Sequence, residues 1–129
     1  MDWKIELVVA PVGDVARAKE FYTGIGFAAD FDKGEGEDRM VQVTPPGSGC
    51  SVLLSRRVQH GAPGSLSAQL VVDDVEAARA HLVEHGAQAS PVQHFTGEGA
   101  LVEGHGEPWN SFVFFADPDG NRWSVQQRP

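Results

Sequence analysis

The side chains most able to do chemistry crowd one stretch of the chain. His94, Glu98, Glu103, His105 and Glu107 could move protons near neutrality or hold a divalent ion. His94, at the end of a predicted strand, is the best placed of them as an acid or base. Gly97, Gly99, Gly104 and Gly106 lie among them, and so much free backbone argues against the fixed geometry a metal needs. Residues 95–108 therefore read first as a solvated, flexible loop. His81 and His85 stand four apart on a predicted helix, a possible ligand spacing, but a packing or surface role is the simpler expectation. His60 falls in a linker. Cys50 has no His or basic neighbour to lower its pKa, so it reads as structural.

A second group could hold a ligand without reacting with it. Trp109 and Trp123 flank the last predicted hairpin, and Phe95, Phe112, Phe114 and Phe115 lie near them. Strand alternation puts Phe112 and Phe114 on one face and Val113 and Phe115 on the other. One set would form core and the other an aromatic wall able to stack on a flat or cationic molecule. Trp109 is a candidate pocket residue. Trp123, next to Ser124, should face away from the pocket. On an earlier strand Gln42 could orient a ligand by donating and accepting hydrogen bonds, with Ser51 on the following strand.

The elements that must position these residues repeat. Val12, Asp14, Val15, Ala18 and Gly26 return sixty residues later as Val72, Asp74, Val75, Ala78 and Gly86, which suggests one unit used twice. Each copy reads as an apolar strand, an Asp that caps a helix, an apolar helix face and a glycine stop. In the first helix that face is Val15, Ala18, Phe21, Tyr22 and Ile25. The predicted order is β-α-β-β-β twice: strands at 4–10, 28–33, 39–44 and 50–54 with a helix at 14–25, then strands at 68–72, 87–93, 110–115 and 123–126 with a helix at 75–84. Asp117-Pro118-Asp119-Gly120-Asn121 predicts a tight reversal before the last strand.

With 129 residues the chain is expected to be one domain, with module one at 1–55, a linker at 56–66 and module two at 67–129. Lys and Arg number 10 against 18 Asp and Glu, a net charge of −8. Such a surface repels phosphate backbones and favours a cationic ligand, so nucleic acid is not an expected partner. No apolar run approaches the length of a membrane span. The opening MDWKIELVV lacks a basic segment ahead of a long apolar one, and a single cysteine suits a reducing compartment, so a cytoplasmic location is expected.

Val12-Gly13-Asp14-Val15 through Phe21-Tyr22 to Gly26-Phe27, the echo Val72-Asp73-Asp74-Val75 to Gly86-Ala87, and the late Asp117-Pro118-Asp119-Gly120-Asn121 together resemble the vicinal oxygen chelate superfamily. This is the group of glyoxalases, bleomycin-resistance proteins and extradiol dioxygenases. The resemblance implies an α+β fold. Two βαβββ modules would form a cupped, incomplete-barrel mixed sheet with helices on the outside and the ligand in the concavity. It also implies four metal-ligand positions, which fall on Leu7, on Leu53 or Leu54, on Ser67 and on Ser124. Leucine cannot coordinate and serine is a poor ligand, so the usual metal site, and any cofactor, is expected to be absent.

The resulting expectation is a metal-free, bleomycin-resistance-like homodimer. It would bind a small, cationic aromatic molecule among Leu7, Gln42, Ser51, Ser67, His94, Phe95, Trp109 and Ser124. The alternative is a metal-independent lyase or isomerase that uses His94 or a loop glutamate as acid or base.

Overall fold

The computed structural model describes residues 1–129. Its first five regular elements are β1 (Leu7–Pro11), α1 (Val15–Gly24), β2 (Ala28–Lys33), β3 (Met40–Thr44) and β4 (Ser51–Ser55). Then come β5 (Ser67–Val72), α2 (Val75–Glu84), β6 (Gln93–Phe95), β7 (Leu101–Glu103), β8 (Phe112–Ala116) and β9 (Arg122–Gln127). Single 3-10 turns lie at Gly36–Asp38 and Val58–His60. The fold is α+β, with two mixed sheets that do not close into a barrel. Neither helix is long and apolar enough to cross a membrane. The chain divides into two compact units, Met1–Leu66 with Asp117–Asn121, and Ser67–Ala116 with Arg122–Pro129.

The sixty-residue repeat is a repeat of backbone geometry. Asp14 and Asp74 cap their helices at φ/ψ of −139°/103° and −140°/103°, accepting from Arg17 N at 3.0 Å and Ala77 N at 3.1 Å. Each helix then ends on a glycine with positive φ, 105° at Gly26 and 88° at Gly86. That conformation lets the next amide, Phe27 or Ala87, donate back to Tyr22 or Leu82.

In the first unit the sheet order is β1-β4-β3-β2. Alternation divides it into two faces. Ala10, Val41, Val43, Val52 and Leu54 are buried with Val15, Ala18, Tyr22 and Ile25 of the α1 region. Leu7, Gln42, Thr44, Ser51 and Leu53 occupy the open face, tied by the pairs Leu7↔Ser51 and Gln42↔Leu53. Of the two leucines weighed for the fourth strand, Leu53 is thus on the open face and Leu54 is in the core. Outside the core, Asp32 accepts from Lys19 Nζ at 2.9 Å and from Arg39 Nε and Nη2 at 3.0 and 2.8 Å. The bonds from Arg39, then those from Lys19, hold its carboxyl well below the usual carboxylate range.

The Asp117–Asn121 turn is a peg set into this unit. Asp117, 5% exposed, accepts from Tyr22 Oη (2.8 Å), Asn121 Nδ2 (2.7 Å) and the amides of Asp119 and Asn121 (both 2.9 Å). Asn121, fully buried, also donates to Pro11 O and accepts from Leu66 N. Asp119 accepts from Gly13 N.

In the second unit the order is β5-β9-β8-β6-β7. Val113, Phe115, Trp123 and Val125 are buried with Val75 and Leu82 of α2, and Phe115 stacks on Trp123 at 6.2 Å. Two expectations fail here. Residues 87–92 are not strand. Pro91 has no amide to donate, and Ser90 meets β8 by accepting on its hydroxyl from Phe114 N and donating its own amide to Phe114 O. The strand comes later, as β6. The loop at 95–108 in turn contains β7. Thr96 closes a turn onto Ala100 with Gly99 at φ 84°, so these glycines make a hairpin and the module gains a strand.

Three substitutions test this description. Asn121→Ala should cost about 2–4 kcal/mol in chemical denaturation and Tyr22→Phe about 1–2, because each leaves buried partners unsatisfied. Asp32→Asn should destabilise at neutral pH. A lowered folded-state pKa stabilises above the unfolded value, so this deficit should shrink as pH falls below the ordinary carboxylate value of about 3.9.

Candidate functional site

The register of the second sheet decides which side chains share its open face. Phe112↔Gln126, Phe114↔Ser124, Gln69↔Ser124 and Ser67↔Arg122 are cross-strand pairs, so all of these point the same way, opposite to Trp123. Phe112 and Phe114 stack at 5.9 Å, and Phe95 meets Phe112 edge-on at 5.5 Å. Beside this ladder runs a chain of polar contacts. Ser124 Oγ donates to Gln69 Oε1 (2.9 Å), Gln69 Nε2 to Gln126 Oε1 (3.0 Å), and Gln126 Nε2 to the Trp109 carbonyl (2.7 Å). Each amide in the chain fixes the orientation of the next. Ser67, Phe114, Arg122 and Ser124 line a cavity of about 550 Å3 here.

A neighbouring cavity of about 670 Å3 in the same unit is lined by His94, Phe95, His105, Glu107, Trp109 and Asn110. The ring nitrogen Nδ1 of His94 lies 2.8 Å from Gly104 O. A carbonyl only accepts, so Nδ1 carries the proton and the neutral ring keeps its lone pair on Nε2. His105 instead points Nε2 at Glu76 Oε1, 3.0 Å away. Trp109 is the one non-glycine residue with positive φ, 69°, and it is 52% exposed. Two contacts hold it there: its carbonyl accepts from Gln126, and Asn110 next to it bonds both the N–H and the C=O of Phe95. At Gly106 a Cβ would lie 2.4 Å from Asn110 O and 2.8 Å from His94 Cβ. The backbone at Gly106 is thus closely packed, while residues 97–105 and 107–109 are exposed.

The candidate residues fall into groups. Leu7, Gln42 and Ser51 share the open face of the first unit, where Ser51 is already engaged with Thr44 Oγ1 at 2.7 Å and Thr44 with Asp30. Ser67 and Ser124 share the open face of the second unit; His94, Phe95 and Trp109 line the neighbouring cavity. His60 bonds Ser55 Oγ, and His81 and His85 sit exposed on α2 with rings 4.1 Å apart. Leu7 and Leu53, or Ser67 and Ser124, are not a donor set for a divalent ion. Nor do three or more His, Cys, Asp or Glu side chains gather anywhere as a possible metal-holding group. Sequence reasoning missed Gln69 and Gln126. Their signal was the polar alternation in a strand otherwise apolar, Gln69 between Ala68 and Leu70.

The profile of the Glyoxalase/Bleomycin resistance protein/Dioxygenase superfamily matches residues 4–125. The chain belongs to this superfamily. No curated protein sequence matches it. Among solved structures it is similar to TnmS3, an antibiotic binding protein from Streptomyces sp. CB03234. The identity is 31% over 99% of this chain and 98% of that one, with a TM-score of 0.77. A glyoxalase/bleomycin resistance protein from the same Streptomyces strain is 32% identical over 96% of this chain and 100% of its own, with a TM-score of 0.75. UcmS2 follows at 25%, covering 98% of each chain, with a TM-score of 0.73.

The close fit around Gly106 is testable in this superfamily member. Gly106→Ala should cost about 1–3 kcal/mol by denaturation, because backbone must move to admit the methyl group.

Proposed function

We propose that this protein binds and sequesters a small aromatic molecule, without a metal, against the open sheet faces described above. The stacked Phe112 and Phe114 beside the Ser124–Gln69–Gln126 chain carry this reading. They offer flat apolar contact next to oriented donors and acceptors, the composition of a site that holds a ligand by shape. The likeness to an antibiotic binding protein at 31% identity supports it. Leu7, Gln42, Ser51, Ser67, His94, Phe95, Trp109 and Ser124 are the proposed contacts. The net charge of −8 would draw positively charged molecules toward the protein at long range. We place the protein in the cytoplasm as a homodimer. Support for self-association comes from Trp3, Ile5 and Leu7, which alternate along the approach to and start of an edge strand and are 87%, 71% and 39% exposed.

One observation favours a second reading. The bare Nε2 of His94 belongs to a residue lining a cavity, as a general base would require. A lyase or isomerase built on it would lose turnover in His94→Ala while retaining ligand affinity.

A thermal-shift panel of polycyclic aromatic natural products decides between them. A true ligand at a hundred times its Kd should add about 2.7 kcal/mol of stability, and Phe114→Ala should abolish the shift. Elemental analysis of the same sample should find no stoichiometric metal, and light scattering should give twice the chain mass. Stoichiometric metal, or turnover dependent on His94, would displace the sequestration reading.

A further inference from the structure

The cavity of about 550 Å3 in the second unit contains a single side-chain charge, and it is positive. Arg122 pairs in register with Ser67 on one side and Ala116 on the other. Strand alternation therefore puts it on the open face, two residues from Ser124, while Trp123 between them is 3% exposed on the opposite face. Phe114 is the aromatic residue of this cavity on the open face, Ser67 and Ser124 supply its hydroxyls, and Phe115, Ala116 and Trp123 complete the lining. No aspartate or glutamate lines it.

Arg122 has no side-chain partner, as Arg17 and Arg56 have none, but of these three it alone lines this cavity. Arg39 is paired with Asp32, Arg57 with Asp38 and Arg128 with Asp73, and Arg79 donates to Ser90 O. Arg122 forms no such bond, although the chain carries 18 carboxylates. The carboxylates nearest to it in sequence are already committed. Asp117 accepts four hydrogen bonds and Asp119 accepts from Gly13 N.

We propose that Arg122 sets the specificity of this cavity: it takes an aromatic anion, with the ring on Phe114 and a carboxylate or acidic phenolate on the guanidinium. This rests on the binding reading above and replaces its cationic ligand with an anionic one at the point of contact. The planar guanidinium fork matches two oxygens of a carboxylate at once. Acidic side chains elsewhere on the surface act through solvent, where charges beyond about 8 Å are screened at physiological salt. The contact charge therefore outweighs the net charge. A cavity of this size suits a molecule of two or three fused rings.

Three probes of one shape and different charge test it: 2-naphthoate, the neutral 2-naphthamide, and 2-naphthylmethylammonium, each titrated by NMR chemical-shift perturbation. Naphthoate should bind at least tenfold more tightly than naphthamide, the ammonium most weakly, and added salt should erode the naphthoate advantage. Arg122→Gln should abolish that advantage, bringing naphthoate to the affinity of naphthamide, with an unaltered melting curve expected for an exposed residue. Phe114→Leu should weaken naphthoate and naphthamide alike. If both bind equally, or the ammonium binds best, or Arg122→Gln keeps the preference, the assignment to Arg122 is wrong while the binding reading stands. If none of the three binds, the binding reading falls and takes this inference with it.

Discussion

The first unit is assembled around one buried carboxylate. Asp117 sits where water cannot solvate it, and a buried polar group is tolerated only when its hydrogen bonds are made. Four donors meet it, from the α1 tyrosine and from the turn itself. Asn121 extends the network to the end of β1 and to Leu66. One five-residue segment thus fixes a helix, a strand end and the backbone at Leu66. The network is all-or-none in character, since removing any member leaves the others desolvated and unmatched.

The two modules share their helix punctuation and differ in what the helix meets. At the position where α1 presents the Tyr22 hydroxyl to Asp117, α2 has Leu82, which is buried. A polar network in one copy is matched by apolar packing in the other. The caps and glycine stops stay the same because they answer to local backbone requirements that do not depend on the partner. The cavity lined by His94 and Trp109 arises where the copies diverge, in the β6–β7 hairpin and the segment through Trp109.

The open faces carry few strong metal donors at the positions that the superfamily resemblance marks. Alternation delivers aliphatic and hydroxyl groups to the positions that the superfamily resemblance marks for ligands. What replaces them in the second unit is an ordered set of amides, hydroxyls and rings. Such a set recognises shape and hydrogen-bonding pattern, and its rigidity lowers the cost of holding a ligand in one pose.

The alternation of Met40, Gln42 and Thr44 against Val41 and Val43, and of Phe112 and Phe114 against Val113 and Phe115, was legible in the chain itself because side-chain direction along a strand has period two. So were both helices, whose Asp caps and glycine stops act within a few residues. The β6–β7 hairpin was not. Its glycines looked like disorder until Thr96, Ala100 and Asn110 were seen to satisfy the backbone around them. Nor could spacing alone reveal that Ser124 leads through Gln69 and Gln126 to Trp109, or that Arg122 stands without a carboxylate. Local covalent geometry determines periodicity, caps and turns, and a sequence carries those directly. Which polar groups end up paired depends on strands brought together from distant parts of the chain, and only the folded structure decides that.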